Sequence, residues 1–106
     1  MKIEDIRTHH IPAQDGVDPI DVFIVWYGEH RSQVTIRCWD QAWTAYWGGH
    51  WERQVENFIS SHTGVCYLVN SFARTRGAVE RKWLRQIVES IRKYFLTLEL
   101  PHEHQS

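Results

Sequence analysis

Cys38, His50, His62 and Cys66 are of the residue types that hold zinc, since imidazole nitrogen and thiolate sulfur are its preferred donors. Their spacing serves that chemistry poorly. The cysteines are not paired as C-x-x-C, and only His62-x-x-x-Cys66 has the interval of a ligand pair. Both cysteines fit apolar faces of the elements expected around them, so two buried thiols and no metal are the simpler reading. His9-His10 and His102-x-His104 lie near the ends of the chain, where solvated imidazoles are expected.

Catalytic constellations are equally thin. The chain contains no G-x-S-x-G, no G-x-x-x-x-G-K phosphate loop, no H-E-x-x-H and no dinucleotide fingerprint. Asp18, Asp21, Glu29 and Asp40 are scattered over expected strand ends and turns, with no nucleophile beside a base. Gly48-Gly49-His50 ahead of a helix would present backbone N–H groups to an anion, but a strand-to-helix turn needs such glycines anyway. The expectation is a non-enzymatic protein with no catalytic residue and no cofactor.

Two features remain that a partner could read. The first is the tryptophan content: six in 106 residues, four of them evenly spaced at Trp39, Trp43, Trp47 and Trp51. A small sheet can use such rings to fill its core. The functional alternative is that Trp43 and Trp47, on one face of a strand, are exposed as anchors for a partner or as stacking platforms for bases. Base stacking wants cations nearby, and only Arg37 is close in sequence, which favours a protein partner. The second feature is charge. The net charge is −1, yet residues 1–51 sum to −3 and residues 52–106 to +2, and the stretch Arg74–Lys93 alone reaches +5. Arg74, Arg76, Arg81, Lys82, Arg85, Arg92 and Lys93 would meet an acidic surface or a phosphate backbone. The ordinary fate of such a segment is a solvated helix face partly paired with Glu80 and Glu89. It lacks the Asn/Gln/Ser-rich face of a base-reading helix.

The elements that must position these residues follow from periodicity. Residues 3–11 read as a short strand or extended arm that ends at Pro12, and Asp15-Gly16 and Asp18-Pro19 are turn chemistry. Ile20 to Tyr27 is apolar on both faces, the mark of a strand covered on both sides or central in its sheet. Val34, Ile36 and Cys38 alternate with Thr35, Arg37 and Trp39 in a second strand. A turn at Asp40-Gln41 leads to a third at Ala42–Trp47, with Trp39 across the turn from Trp43. Trp51, Val55, Phe58, Ile59 and His62 share one face of a helix capped by Gly64. Residues 65–72 fit either a short helix or weak alternation. Ala78 to Leu96 is the clearest helix.

Length and composition suit one small domain that buries a core, at 42% hydrophobic and 24% charged residues. The longest strongly apolar run, Val22–Tyr27, is far short of a membrane span, and Met1–Asp5 opens no secretory signal. A cytoplasmic protein with no membrane partner is the expectation.

The block Gln41-Ala42-Trp43-Thr44-Ala45-Tyr46-Trp47-Gly48-Gly49, followed by an amphipathic helix, Tyr67-Leu68 and a final charged helix, resembles short accessory proteins of lambdoid phages and enterobacterial prophages. The resemblance runs over most of residues 20–96. It implies a cytoplasmic accessory protein of the bacterial host cell, made on infection or from a prophage, and brings no activity, cofactor or catalytic residue.

The combined expectation is a single α+β domain over residues 1–100, a three-stranded antiparallel meander packed against two helices, with a frayed polar tail at 101–106. The expected function is binding and modulation of a host or phage protein, with Trp43, Trp47, Arg81, Arg85 and Arg92 as contact residues. The alternative is nucleic-acid binding through the Arg74–Lys93 face.

Overall fold

The computed structural model describes residues 2–14, 16–49, 54–62, 64–73 and 77–98, residues 61 and 62 by their backbone alone. Strands β1 (Asp5–Ile11), β2 (Ile20–Gly28), β3 (Arg31–Cys38) and β4 (Gln41–Trp47) form one antiparallel sheet in the order β1-β2-β3-β4. Three helices follow: α1 (Val55–Asn57), which runs into a π-helical turn at Phe58–His62, α2 (Val65–Phe72) and α3 (Ala78–Leu96). The architecture is α+β, as expected, but the three-stranded meander with two helices is corrected to four strands and three helices, of which only α2 and α3 exceed one turn.

The fourth strand is β1. It pairs with β2 along its whole length, from Asp5 opposite Trp26 to Ile11 opposite Ile20. Its alternation is hard to see in the sequence because two of its inward positions are Arg7 and His9 rather than apolar residues. Both are answered by one carboxylate, Glu56 of α1. The expected helix beginning at Trp51 starts at Val55 among the described residues, and Trp51 itself lies outside them. The ambiguous stretch at 65–72 is a helix, with Leu68, Val69 and Phe72 turned into the core.

Alternation sets the two faces of the sheet. Ile11, Ile20, Val22, Ile24, Val34, Ile36, Cys38, Trp43, Ala45 and Trp47 point to the helices and form the core with Val55, Ile59, Leu68, Phe72, Leu84, Ile87, Val88, Ile91 and Phe95. The other face carries cross-strand rows such as Thr8-Phe23-Thr35-Thr44 and His10-Asp21-Arg37-Ala42, and no described element covers it. β2 is thus apolar on both sides because it is central, with Val25 and Tyr27 half-buried among their neighbours. A Thr35–Thr44 hydroxyl bond and the His10–Asp21 pair tie the open face across strands.

Both tight hairpins carry unusual residues. Gly28 pairs with Arg31, leaving Glu29 and His30 as a two-residue loop with φ of 54° and 62°. This is the geometry of the turn that favours Asn-Gly, because it holds both central residues in the left-handed region. Replacing Glu29→Asn and His30→Gly together is expected to raise stability by about 1 kcal/mol, a rise of roughly 5 °C in thermal midpoint. An unchanged or lowered midpoint would mean that these side chains hold the turn themselves. The second hairpin pairs Cys38 with Gln41 around Trp39 and Asp40, with Trp39 at φ 60°.

Candidate partner-binding surface

Trp43 and Trp47 lie in the core, 2% and 7% exposed. The Trp43 Nε1–H donates to Glu80 Oε2 at 2.6 Å, and its ring meets Trp83 edge to face, centroids 5.2 Å apart. The Trp47 Nε1–H donates to the Tyr67 hydroxyl at 3.2 Å, and its ring packs against Phe58 and Phe72. Each indole thus buries its apolar body and satisfies its one donor at the margin of the core.

The arginines of α3 do not join these rings in one surface. Arg81 Nη1 donates to the Ala73 carbonyl at 2.6 Å and its Nη2 donates to Asn70 Oδ1, tying α2 to α3. Arg85 touches Cys66 Sγ at 3.8 Å and Glu89 at 3.7 Å, one turn along its own helix. Arg81, Lys82 and Arg85 line a shallow pocket with Cys66, Val69 and Asn70. Arg92 is half-buried further along α3. Glu80 accepts from Trp43, and Glu89 pairs with Arg85 on the basic face. Arg74 and Arg76 lie outside the described residues.

Cys38 is buried, and that burial, with the charges of Asp18 and Asp21, pushes its thiol pKa up. Cys66 is exposed, which corrects the expectation of two buried thiols; both cysteines are free. Among the described residues, no three His, Cys, Asp or Glu side chains are grouped as a metal site. His50, the side chain of His62 and the terminal pair His102 and His104 lie outside those residues. No described helix is long and apolar enough to cross a membrane.

The strongest charge cluster was not foreseen. Glu56, 1% exposed, accepts from Arg7 Nε and Nη2 at 2.8 Å each and lies 2.8 Å from His9 Nε2. Burial alone would raise the carboxyl pKa; the bonds to His9 and Arg7 and the Arg7 charge outweigh it and hold the group at about 2. The same carboxylate raises the Arg7 pKa against the opposing effect of burial. A carboxylate ionised down to that pH is neither donor nor acceptor of protons near neutrality. The cluster is a strut between β1 and α1. Arg7-x-His9-x-Ile11, period two into a buried Ile11, is the signal that marks Arg7 and His9 as inward-facing, without naming their partner.

The residue that breaks the rules is Trp39. Its side chain is 68% exposed, on a bulky residue at positive φ, where glycine is the usual occupant and other residues are strained by about 1–2 kcal/mol. Its Nε1–H donates to Asp18 Oδ2 at 2.7 Å, which fixes the exposed ring to the β1–β2 connection. Beside it lies a cleft of about 900 Å³ between the β3–β4 turn (Trp39, Asp40, Gln41) and the first turns of α3 (Val79, Glu80, Trp83). Spacing alone placed Trp39 across the turn from Trp43; the structure puts it in the turn, pointing away from the core.

Known proteins add one relation. No curated protein and no solved structure matches the chain. A phage family, Phage_phiTE_072, matches residues 1–102, nearly the whole length. The lambdoid and enterobacterial part of the resemblance is narrower than this match. The chain belongs to the phage protein family Phage_phiTE_072.

Proposed function

We propose that this phage-family protein is a non-enzymatic binding protein that modulates a host or phage protein, and that the partner seats on Trp39 and the cleft beside it. The observation that carries this reading is the conformation of Trp39. The bond to Asp18 ties the ring to the β1–β2 connection, yet a tryptophan ring is held in solvent at a strained turn position, and strain kept at a surface points to use of that surface. Exposed, rigid tryptophans are also the residues that dominate binding energy at protein interfaces. Arg81 and Arg85 bond within the fold, which leaves nucleic-acid binding through the α3 face as the second reading.

Trp39→Gly separates folding from function. It relieves the strained turn, so stability is expected to stay level or rise by up to about 1 kcal/mol. Tagged protein is used to capture partners from phage-infected bacterial lysate, and what it retains is identified by mass spectrometry and then purified for pairwise binding. The variant is expected to bind that purified partner at least tenfold more weakly, a hot-spot-sized loss. Equal binding by the variant, or a variant destabilised by more than about 1 kcal/mol, would make Trp39 a structural residue.

A further inference from the structure

Resting on that docking reading, we infer that the cleft between Trp39 and α3 takes a cationic side chain of the partner, an arginine. Two independent features favour a cation. Indole faces carry negative potential and attract guanidinium and ammonium groups. Trp39 is further polarised in that sense, because its Nε1–H is held by the Asp18 carboxylate at 2.7 Å. The walls also supply charge of the right sign, from Asp40 in the turn and Glu80 in the first turn of α3.

The amino end of α3 is the one feature that would favour an anion. Glu80 already sits in that first turn, with its carboxylate oriented by the Trp43 indole. An incoming anion would meet two carboxylates there. Trp83 is held at 82° to the buried Trp43 ring, so both aromatic elements of the cleft are anchored before any partner arrives. The cleft is broad and open to solvent, so a long side chain can lie along it between Trp39 and Trp83. A guanidinium is planar and weakly hydrated and stacks on indole, which favours arginine over lysine.

The test uses four blocked pentapeptides, Gly-Gly-X-Gly-Gly with X as arginine, lysine, norleucine or glutamate, titrated into the full chain. The indole N–H signals of Trp39 and Trp83 are followed by NMR. The arginine peptide is expected to shift both signals saturably, in the millimolar range, with lysine several-fold weaker and norleucine at least tenfold weaker. Asp40→Asn should weaken arginine binding several-fold, and added salt should do the same. Norleucine matching arginine would reduce the site to an apolar groove. Tighter glutamate binding would make it an anion site at the α3 terminus, and lysine equal to arginine would remove the assignment to arginine. If no peptide shifts either signal while Trp39→Gly still loses the protein partner, the cation assignment falls and the docking reading stands. If Trp39→Gly keeps the partner, the docking reading itself falls.

Discussion

Glu56→Gln is expected to lower folding stability by about 3 kcal/mol at pH 7. The carboxylate is buried, and it is the shared partner of Arg7 and His9. An amide of the same shape keeps the volume but leaves a part-buried guanidinium with only the exposed Asp5 carboxylate, 3.0 Å from Nη1, as counter-charge. The pH dependence identifies the cause. Glu56 has a folded pKa of about 2 against an ordinary 4.5, so its stabilisation is fully present above pH 4.5 and is lost as pH falls toward 2. The difference in urea midpoint between wild type and Glu56→Gln should therefore be constant from pH 7 to about 5 and shrink through the acid range. A difference that stays constant down to pH 2 would show that shape, and not charge, is what the position needs.

Trp43→Ala should cost about 3–5 kcal/mol, because it empties the largest fully buried side chain in the core. That is a large fraction of the 5–15 kcal/mol that holds a typical domain together. Trp43→Phe separates the ring from its hydrogen bond. It keeps most of the aromatic body against Trp83 and removes the donor to Glu80, for an expected loss of about 2 kcal/mol. Combining Trp43→Phe with Glu80→Gln in a double-mutant cycle should give a coupling energy of about 1–2 kcal/mol. Denaturant unfolding followed by tryptophan fluorescence and far-ultraviolet circular dichroism measures all three. A Trp43→Ala loss below about 1 kcal/mol would contradict the burial described here.

The elements that could be read from the sequence are those whose periodicity is carried by apolar residues alone. β2, β4 and α3 fall where Ile20–Tyr27, Ala42–Trp47 and Ala78–Leu96 predict them, to within a residue, while β3 begins three residues before the expected Val34 and ends one before Trp39. β1 was legible as a short strand or an extended arm but not as a paired member of the sheet, because Arg7 and His9 hide its inward face until Glu56, 47 residues beyond His9, is brought beside them. Residue type cannot report a long-range partner of that kind. The candidate site shows the same limit. Even spacing drew attention to Trp43 and Trp47, and burial claims both. Trp39 differs from them only in backbone conformation, which depends on the two-residue loop that joins β3 to β4. Asp40-Gln41 reads as the turn from composition; pairing of Cys38 with Gln41 moves it back by one residue.

Every strand in this sheet neighbours the strand adjacent to it in the chain. Such local wiring favours rapid assembly, and it separates the birth of the two layers. Residues 5–47 can zip up as successive hairpins while residues 55–96, which supply the covering layer, are still to be made. At synthesis rates of about 5–20 residues per second, making that layer takes roughly 2–8 s. Until that layer is made, the greasy underside of the nascent sheet has nothing of its own chain to cover it.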